Sequence, residues 1–145
     1  MKPNRRQYHN SQLRVLEWEV RFYHETKEEL AEEKESIILA TKEFDPDMPR
    51  GSGVSDDTYN RAQRLLNSTE VREMEKKIKA IDRARDEWIS KEPIVRMEFI
   101  RLKFWDNKYT DEGIALKLSI GTDRTVRRWR RSFLTLVGKY LGWRV

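Results

Sequence analysis

The stretch TDEGIALKLSIGTDRTVRRWRR, from Thr110 to Arg131, predicts two short helices joined by a turn. Thr110 is a good N-cap residue, and Asp111 and Glu112 place negative charge in the first helical turn, where it is favourable. One face of this first helix is apolar and carries Ile114, Ala115 and Leu118. We expect the helix to end near Ser119.

Ile120, Gly121 and Thr122 should form the turn, with Thr122 as the cap of the second helix. Apolar and aromatic residues then recur at spacings of three and four, which predicts the inner face of a helix made of Val126, Trp129, Phe133, Val137 and Tyr140. With that face turned inward, the first turns present a polar side made of Asp123, Arg124, Thr125, Arg127, Arg128 and Arg131.

Five arginines fall within eight residues of this second helix, at positions 124, 127, 128, 130 and 131, offset only by Asp123. Close like charges on a helix repel by a few tenths of a kcal/mol per pair, roughly, and a polyanionic partner removes that repulsion. A guanidinium can also form two hydrogen bonds with guanine or with a phosphate. We therefore predict a helix-turn-helix that binds double-stranded DNA through Lys117, Asp123, Arg124, Thr125, Arg127, Arg128, Arg130 and Arg131.

Within that set the expected roles differ. The N-terminal turns of a recognition helix reach base edges, so Arg124, Thr125, Arg127 and Arg128 are the predicted base contacts. The predicted phosphate contacts are Lys117, Arg130 and Arg131.

The charge distribution of the chain agrees with this prediction. Of the 145 residues, the last 52 contain twelve Lys and Arg against five Asp and Glu, while the remainder of the chain contains eighteen against twenty. The excess of positive charge therefore accompanies the predicted DNA-binding helices. A basic region of this kind is the electrostatic signature of a nucleic-acid partner.

Upstream, the apolar pattern predicts two long helices. The first should run from about Ser11 to Lys42, with a seam of Leu13, Leu16, Val20, Tyr23, Leu30 and Ile37. The second has the same rhythm in Val71, Met74, Ile78, Ile81, Arg85 and Trp88, and we expect it to extend back through Leu66 and Ala62 to a cap near Asp57 or Thr58. Together they predict a helical hairpin.

Residues 43–57 should form the loop of that hairpin, because the stretch FDPDMPRGSGVSDD contains two Pro, two Gly and two Ser. The apolar seam could pack within one chain or pair with another copy. Trp18, Phe22 and Tyr23 offer more apolar surface than one hairpin can cover. We therefore expect a homodimer or a higher homo-oligomer formed through the N-terminal helices.

Pro93 suits the first turn of a new helix, which should extend from Ile94 to about Asp106. That helix is apolar over a broad arc, so it should be the central first helix of a three-helix DNA-binding unit. The predicted fold is all-α, with a helical hairpin in residues 1–91 and the helix-turn-helix unit in residues 92–145.

The composition argues against several other classes of protein. The sequence has no Cys and no apolar run near 18 residues, so we expect a soluble cytoplasmic protein without a membrane span. Its two histidines, His9 and His24, lack the spacing of a helix-borne zinc site, and the Asp pairs suit turns and caps. We expect no enzyme activity, no metal and no cofactor.

A family resemblance follows from RMEFIRLKFWDNKYTDEGIALKLSIGTDRTVRRWRR, from Arg96 to Arg131, which resembles region four of bacterial sigma factors. It is more similar to the RinA- and ArpU-type late transcription regulators of phages of Gram-positive bacteria. An N-terminal helix with EWEVRFYHETKEEL and a middle segment with RGSGVSDDT and then RAQRLL extend the likeness to most of the chain. The resemblance implies a phage-encoded activator that assists host RNA polymerase at a late promoter, inside the bacterial host cell.

One departure from the family pattern concerns the turn. Residues Ser119 to Thr122, SIGT, are one residue longer than the usual turn, which could rotate the second helix by about 100°. Gly121 should absorb the extra residue, because glycine accepts backbone angles that other residues avoid.

Two alternative functions share these sequence features. The chain could be a phage DNA-packaging protein resembling a small terminase subunit, which also joins a helix-turn-helix to oligomerising helices. It could also be a sigma-like interaction module whose basic face binds an acidic protein.

Overall fold

The computed structural model describes residues 5–42, 59, 60, 63 and 68–145, and every regular element in these ranges is helical, which confirms the predicted all-α class. The helices are α1 (Arg5–Arg21), α2 (Tyr23–Lys42), α3 (Thr69–Ile89), α4 (Pro93–Ile100), a π-helical segment (Arg101–Asp106), α5 (Asp111–Leu118) and α6 (Asp123–Tyr140). The predicted loop 43–57 and the predicted helical extension through Ala62 and Leu66 lie outside the described residues.

The chain forms two compact units. The first unit combines α1 and Tyr23 with Lys77–Val145, and the second lies between residues 24 and 76. Because α1 packs against α6 and against the π-helical segment, its apolar residues belong to the core of the C-terminal helices. Leu16 and Val20 of α1 are both fully buried. The packing of the first unit therefore does not follow the predicted boundary between residues 91 and 92.

The helix predicted from Ser11 to Lys42 is observed as two helices, α1 and α2, separated by the single residue Phe22. The first of them begins earlier than predicted, at Arg5. The Phe22 N–H donates a backbone hydrogen bond to the Trp18 carbonyl at 3.1 Å. In the second unit Leu30 and Ile37 of α2 are buried, as is Val71 of α3, and the Nζ of Lys34 lies 2.8 Å from a carboxylate oxygen of Glu75.

The start of α3 corrects the sequence prediction. Ser68 is not helical, and its hydroxyl oxygen accepts a hydrogen bond from the Val71 N–H at 3.3 Å. A serine in this position satisfies a backbone donor that has no partner within the helix, so it acts as an N-cap. The helix therefore begins at Thr69, directly after this cap.

The helix predicted from Ile94 to Asp106 has the expected ends, with Pro93 in its first turn and Asn107 closing it in the left-handed conformation at φ 48°. Its last six residues, however, widen into a π-helical turn. In a π-helix, residues five apart become neighbours, and Arg101 Nη1 is 2.7 Å from Asp106 Oδ2. The widened turn buries Leu102 and Phe104 while it leaves Arg101 exposed.

The core of the first unit is aromatic. The ring of Trp88 lies 5.5 Å from each of the rings of Phe99, Trp129 and Phe133, so α3, α4 and α6 meet at this side chain. Phe104 of the π-helical segment lies 5.6 Å from Phe133. Such tilted and edge-on pairs contribute about 0.5–1.5 kcal/mol each beyond the burial of apolar area. This cluster fixes the inner face of α6.

Within the described ranges, no helix is both long and apolar enough to cross a bilayer.

Candidate nucleic-acid interface

The helix α5 begins and ends where the sequence predicts. The hydroxyl oxygen of Thr110 accepts a hydrogen bond from the Gly113 N–H at 3.1 Å, and Asp111 and Glu112 occupy the first turn. Ile114 and Ala115 are buried. At the C-terminal end, Ser119 adopts the left-handed conformation at φ 53°, which stops the helix.

The turn from Ser119 to Thr122 aims the next helix. The Ile120 N–H bonds to the Ala115 carbonyl at 3.2 Å, and Gly121 adopts φ 105°, a region that favours glycine. Gly121 therefore supplies a backbone angle that this turn requires. Thr122 occupies the cap position of α6 as predicted, but its carbonyl, not its side chain, accepts the Thr125 N–H, at 3.0 Å.

Gly121 and Ser119 both have positive φ, and we expect substitutions at these two positions to have opposite effects on the free energy of unfolding. Gly121→Ala should lower the free energy of unfolding by about 1–3 kcal/mol, because alanine is strained at this φ and its Cβ would lie 3.3 Å from Thr125 Oγ1. Ser119→Gly should raise it by up to about 1 kcal/mol, because glycine removes the strain of a left-handed serine. Urea denaturation of both variants checks the pair, and destabilisation by Ser119→Gly would contradict the turn geometry.

The inner face of α6 is close to the prediction, and its outer face is basic. Val126, Phe133 and Val137 are fully buried, Trp129 and Tyr140 are half-buried, and Leu134 and Gly138 join the buried side. The exposed side of the first turns carries Arg124, Arg127, Arg128 and Arg131. At about 100° per residue, these four arginines lie within roughly 100° of the helix circumference. They form one face, which we call the arginine face.

Most of the arginine face lacks a compensating negative charge. Arg127 makes an exposed ion pair with Asp123, one helical turn earlier, at 3.3 Å. Among the described residues, no carboxylate lies within ion-pairing distance of Arg124, Arg128 or Arg131. Asp123 and Thr125 are half-buried beside the turn. Three guanidinium groups therefore point to solvent from one side of α6 with their charge unneutralised.

Arg130 does not belong to this face. Its Nε lies 3.0 Å from Glu17 Oε2 of α1, and the two side chains are only 22% and 16% exposed. Glu17 also accepts a hydrogen bond from Arg21 at 3.3 Å. The sequence predicts a phosphate contact for Arg130, but in the fold its guanidinium forms an ion pair with Glu17 that joins α6 to α1. We therefore remove Arg130 from the candidate DNA-binding set.

Lys117 is exposed, but it lies against Tyr109. Its Nζ donates a hydrogen bond to the Tyr109 hydroxyl oxygen at 3.2 Å and sits 4.4 Å from the centre of the ring. This hydrogen bond lowers the pKa of Tyr109 below its ordinary value, with a smaller contribution from Lys108. Lys117 also helps Arg101 to lower the pKa of Glu98, so it faces the end of α4 and the π-helical segment.

Arg96 packs against the side of α6 that is opposite the arginine face, and the sequence did not predict this contact. Its guanidinium carbon lies 4.6 Å from the Trp88 ring and 5.2 Å from the Trp129 ring, and its Nη1 donates to the Trp88 carbonyl at 2.7 Å. Cation–π contacts of a partly desolvated arginine contribute about 1–2 kcal/mol. The side of α6 opposite the arginine face is thus fixed by a charged group as well as by apolar packing.

Within the described ranges, no group of three or more His, Asp and Glu side chains is placed to hold a metal ion. Comparison of the chain with known proteins finds no matching family model, no matching curated protein and no matching solved structure.

Proposed function

We propose that this protein binds double-stranded DNA through the arginine face of α6 and regulates transcription. The observation that carries the proposal is the set of three exposed arginines, Arg124, Arg128 and Arg131, that share one side of a helix and have no carboxylate partner among the described residues. A duplex supplies phosphates and guanine edges, which are the acceptors that guanidinium groups bind best.

The dimensions of α6 suit the major groove. A helix with its side chains is about 10–12 Å in diameter, and the major groove is about 12 Å wide. The short α5 and the turn precede α6 as the first helix and turn precede a recognition helix in helix-turn-helix proteins. In this arrangement Arg124 and Arg128 contact bases, Arg127 exchanges Asp123 for the DNA, and Arg131 and Lys117 contact phosphates.

The biological role in the proposal rests on the resemblance to RinA- and ArpU-type regulators and to region four of sigma factors. Of the segments that carry the resemblance, TDEGIALKLS forms α5 with its cap and TVRRWRR lies in the first turns of α6. We therefore propose a phage late-gene activator that acts with host RNA polymerase in the cytoplasm of a bacterial host.

We also propose that the protein acts as a homodimer or higher homo-oligomer. Val15 and Trp18 on α1 are 49% and 60% exposed, and Ile38 and Leu39 on α2 are 50% and 55% exposed. Large apolar side chains grouped on a helix surface favour a protein partner. Two copies would bind two half-sites and add their contacts.

The experiment that tests the proposal is selection of sheared phage and host genomic DNA on the intact protein at about 0.15 M salt, followed by sequencing. Enrichment of one short site upstream of a late gene block is the expected result. Sedimentation equilibrium of the same sample gives the copy number. A large ring that retains a packaging-start site would replace the regulator with a packaging protein, and a lack of any DNA retention would overturn the proposal.

Arg128→Ala should weaken binding to the selected site by about 1–3 kcal/mol and relax the base preference at one position, because a base contact carries both affinity and sequence information. Competition binding against a library of single-base variants measures both effects. Arg83→Ala, which removes an exposed arginine from α3, is the matched control and should change neither. Weaker binding with an unaltered base preference would make Arg128 a phosphate contact.

A further inference from the structure

The basic surface of α6 continues beyond the arginine face to the end of the chain described here. Thr135 and Lys139 follow Arg131 at steps of four, so they stay on the same side of the helix. After α6 the backbone turns at Gly142, with φ 82°, and the Trp143 N–H bonds to the Gly138 carbonyl at 2.8 Å. This turn brings Trp143 and Arg144 alongside Lys139, where they line a shallow open cleft together with Ser132 and Thr135.

The cleft is built into the packing of the first unit. Gly138 is buried, and a Cβ added there would lie 2.5 Å from Val145 Cγ2 and 3.1 Å from Leu16 Cδ1. Because only a glycine leaves this space, the last residues pack directly onto α6 and α1. The positions of Lys139 and Arg144 relative to the arginine face are thereby set by the fold.

The polar side chains of the cleft suit an anion with several oxygen acceptors. They are two cations, Lys139 and Arg144, and the two hydroxyl groups of Ser132 and Thr135, and they lie beside Leu136, Trp143 and Val145. Ser132 Oγ accepts a hydrogen bond from Trp88 Nε1 at 3.2 Å, so its own hydroxyl hydrogen is available for a second partner. Backbone phosphates of DNA are bound by this combination of cations and hydroxyl donors.

The position of the cleft indicates which part of the DNA it would meet. The N-terminal turns of a recognition helix contact the base edges, and Lys139 lies eleven residues after Arg128, about 16 Å further along the helix. With Arg128 over the base edges, Lys139 is therefore well away from the bases that the first turns contact. We propose that Lys139, Arg144, Ser132 and Thr135 form a second contact that holds the sugar–phosphate backbone beside the recognition site. This inference rests on the proposed DNA binding and adds an anchor to it.

The test compares the intact protein with the double variant Lys139→Gln, Arg144→Gln on a duplex of about three helical turns that carries the selected site. Affinity is measured by fluorescence anisotropy between about 50 and 200 mM salt. Each phosphate contact contributes about 0.9 to the slope of log affinity against log salt. As the salt concentration rises over this range, the affinity for the duplex falls by some factor in each protein. That factor should therefore be roughly tenfold smaller for the double variant than for the intact protein. The base preference should be unchanged.

The matched control is Lys79→Gln, Lys91→Gln, which removes two exposed lysines of α3 and the following turn and changes the net charge equally. Its salt dependence should equal that of the intact protein. An equal loss of slope in both double variants would show a general charge effect, and an unchanged slope in the Lys139, Arg144 variant would exclude the second contact; either result overturns the inference while DNA binding stands. Failure of the intact protein to bind the duplex would instead overturn the proposed function.

Discussion

Replacing Trp129 with alanine should lower the free energy of unfolding by about 3–5 kcal/mol. The indole makes edge-on contacts with Trp88 at 5.5 Å and with Phe99 at 5.4 Å, and the Arg96 guanidinium lies 5.2 Å from its ring. Removal would leave a cavity among these rings and would also strip Arg96 of one of its two aromatic partners. Because Trp129 is itself half-buried, we expect a value towards the lower end of this range.

Guanidinium chloride denaturation followed by circular dichroism measures this effect. Ile94→Ala serves as the control, since Ile94 is 82% exposed and its truncation should change the free energy of unfolding by about 1 kcal/mol or less. If the Trp129 variant kept the stability of the parent protein and lost only DNA affinity, Trp129 would be a base-stacking residue and its assignment to the core would be wrong.

Substitution of two neighbouring arginines should separate stability from DNA binding. Arg130→Ala should lower the free energy of unfolding by about 1–3 kcal/mol, because it leaves Glu17, only 16% exposed, without its partner on α6. Arg131→Ala removes an exposed side chain and should change stability by no more than about 0.5 kcal/mol. The effects on DNA binding should be in the opposite order. Arg131→Ala should lower the affinity of the folded protein for DNA more than Arg130→Ala does.

A double-mutant cycle with Glu17→Gln and Arg130→Gln isolates the ion pair. A coupling free energy of about 1–3 kcal/mol is expected for contacting residues that are largely shielded from water. Additive effects of the two substitutions would remove the ion pair from the interactions that join α1 to α6. A folded Arg130→Ala protein with a reduced salt dependence of DNA binding would restore Arg130 to the phosphate contacts.

The local features of the fold could be predicted from sequence because their causes are local. The cap at Thr110, the end of α5 at Ser119, the first-turn proline at Pro93 and the role of Gly121 each depend on the conformational preferences of a few adjacent residues. The spacing of Val126, Phe133 and Val137 likewise revealed which side of α6 is buried, and therefore that Arg124, Arg128 and Arg131 are exposed.

The remaining features depend on residues far apart in the chain or on competition between local signals. Glu17 and Arg130 are separated by 113 positions, and the helical spacing of α6 contains no information about a carboxylate on α1. The π-helical segment was not predicted, although the broad apolar arc of residues 94–106 is what a shift of helical register produces. At Ser68, the capping preference of serine outweighs the apolar rhythm that continues on both sides of it.

The packing of α1 into the C-terminal helices has a consequence for the synthesis of the protein. Leu16 and Val20 leave the ribosome early, yet the helix that covers them, α6, follows about 100 residues later. At a rate of synthesis of about 5–20 residues per second, the apolar side of α1 stays uncovered for roughly 5–20 s. During that interval a nascent chain can be captured by a chaperone or by another nascent copy, and a fragment that starts at residue 92 would never receive α1 at all.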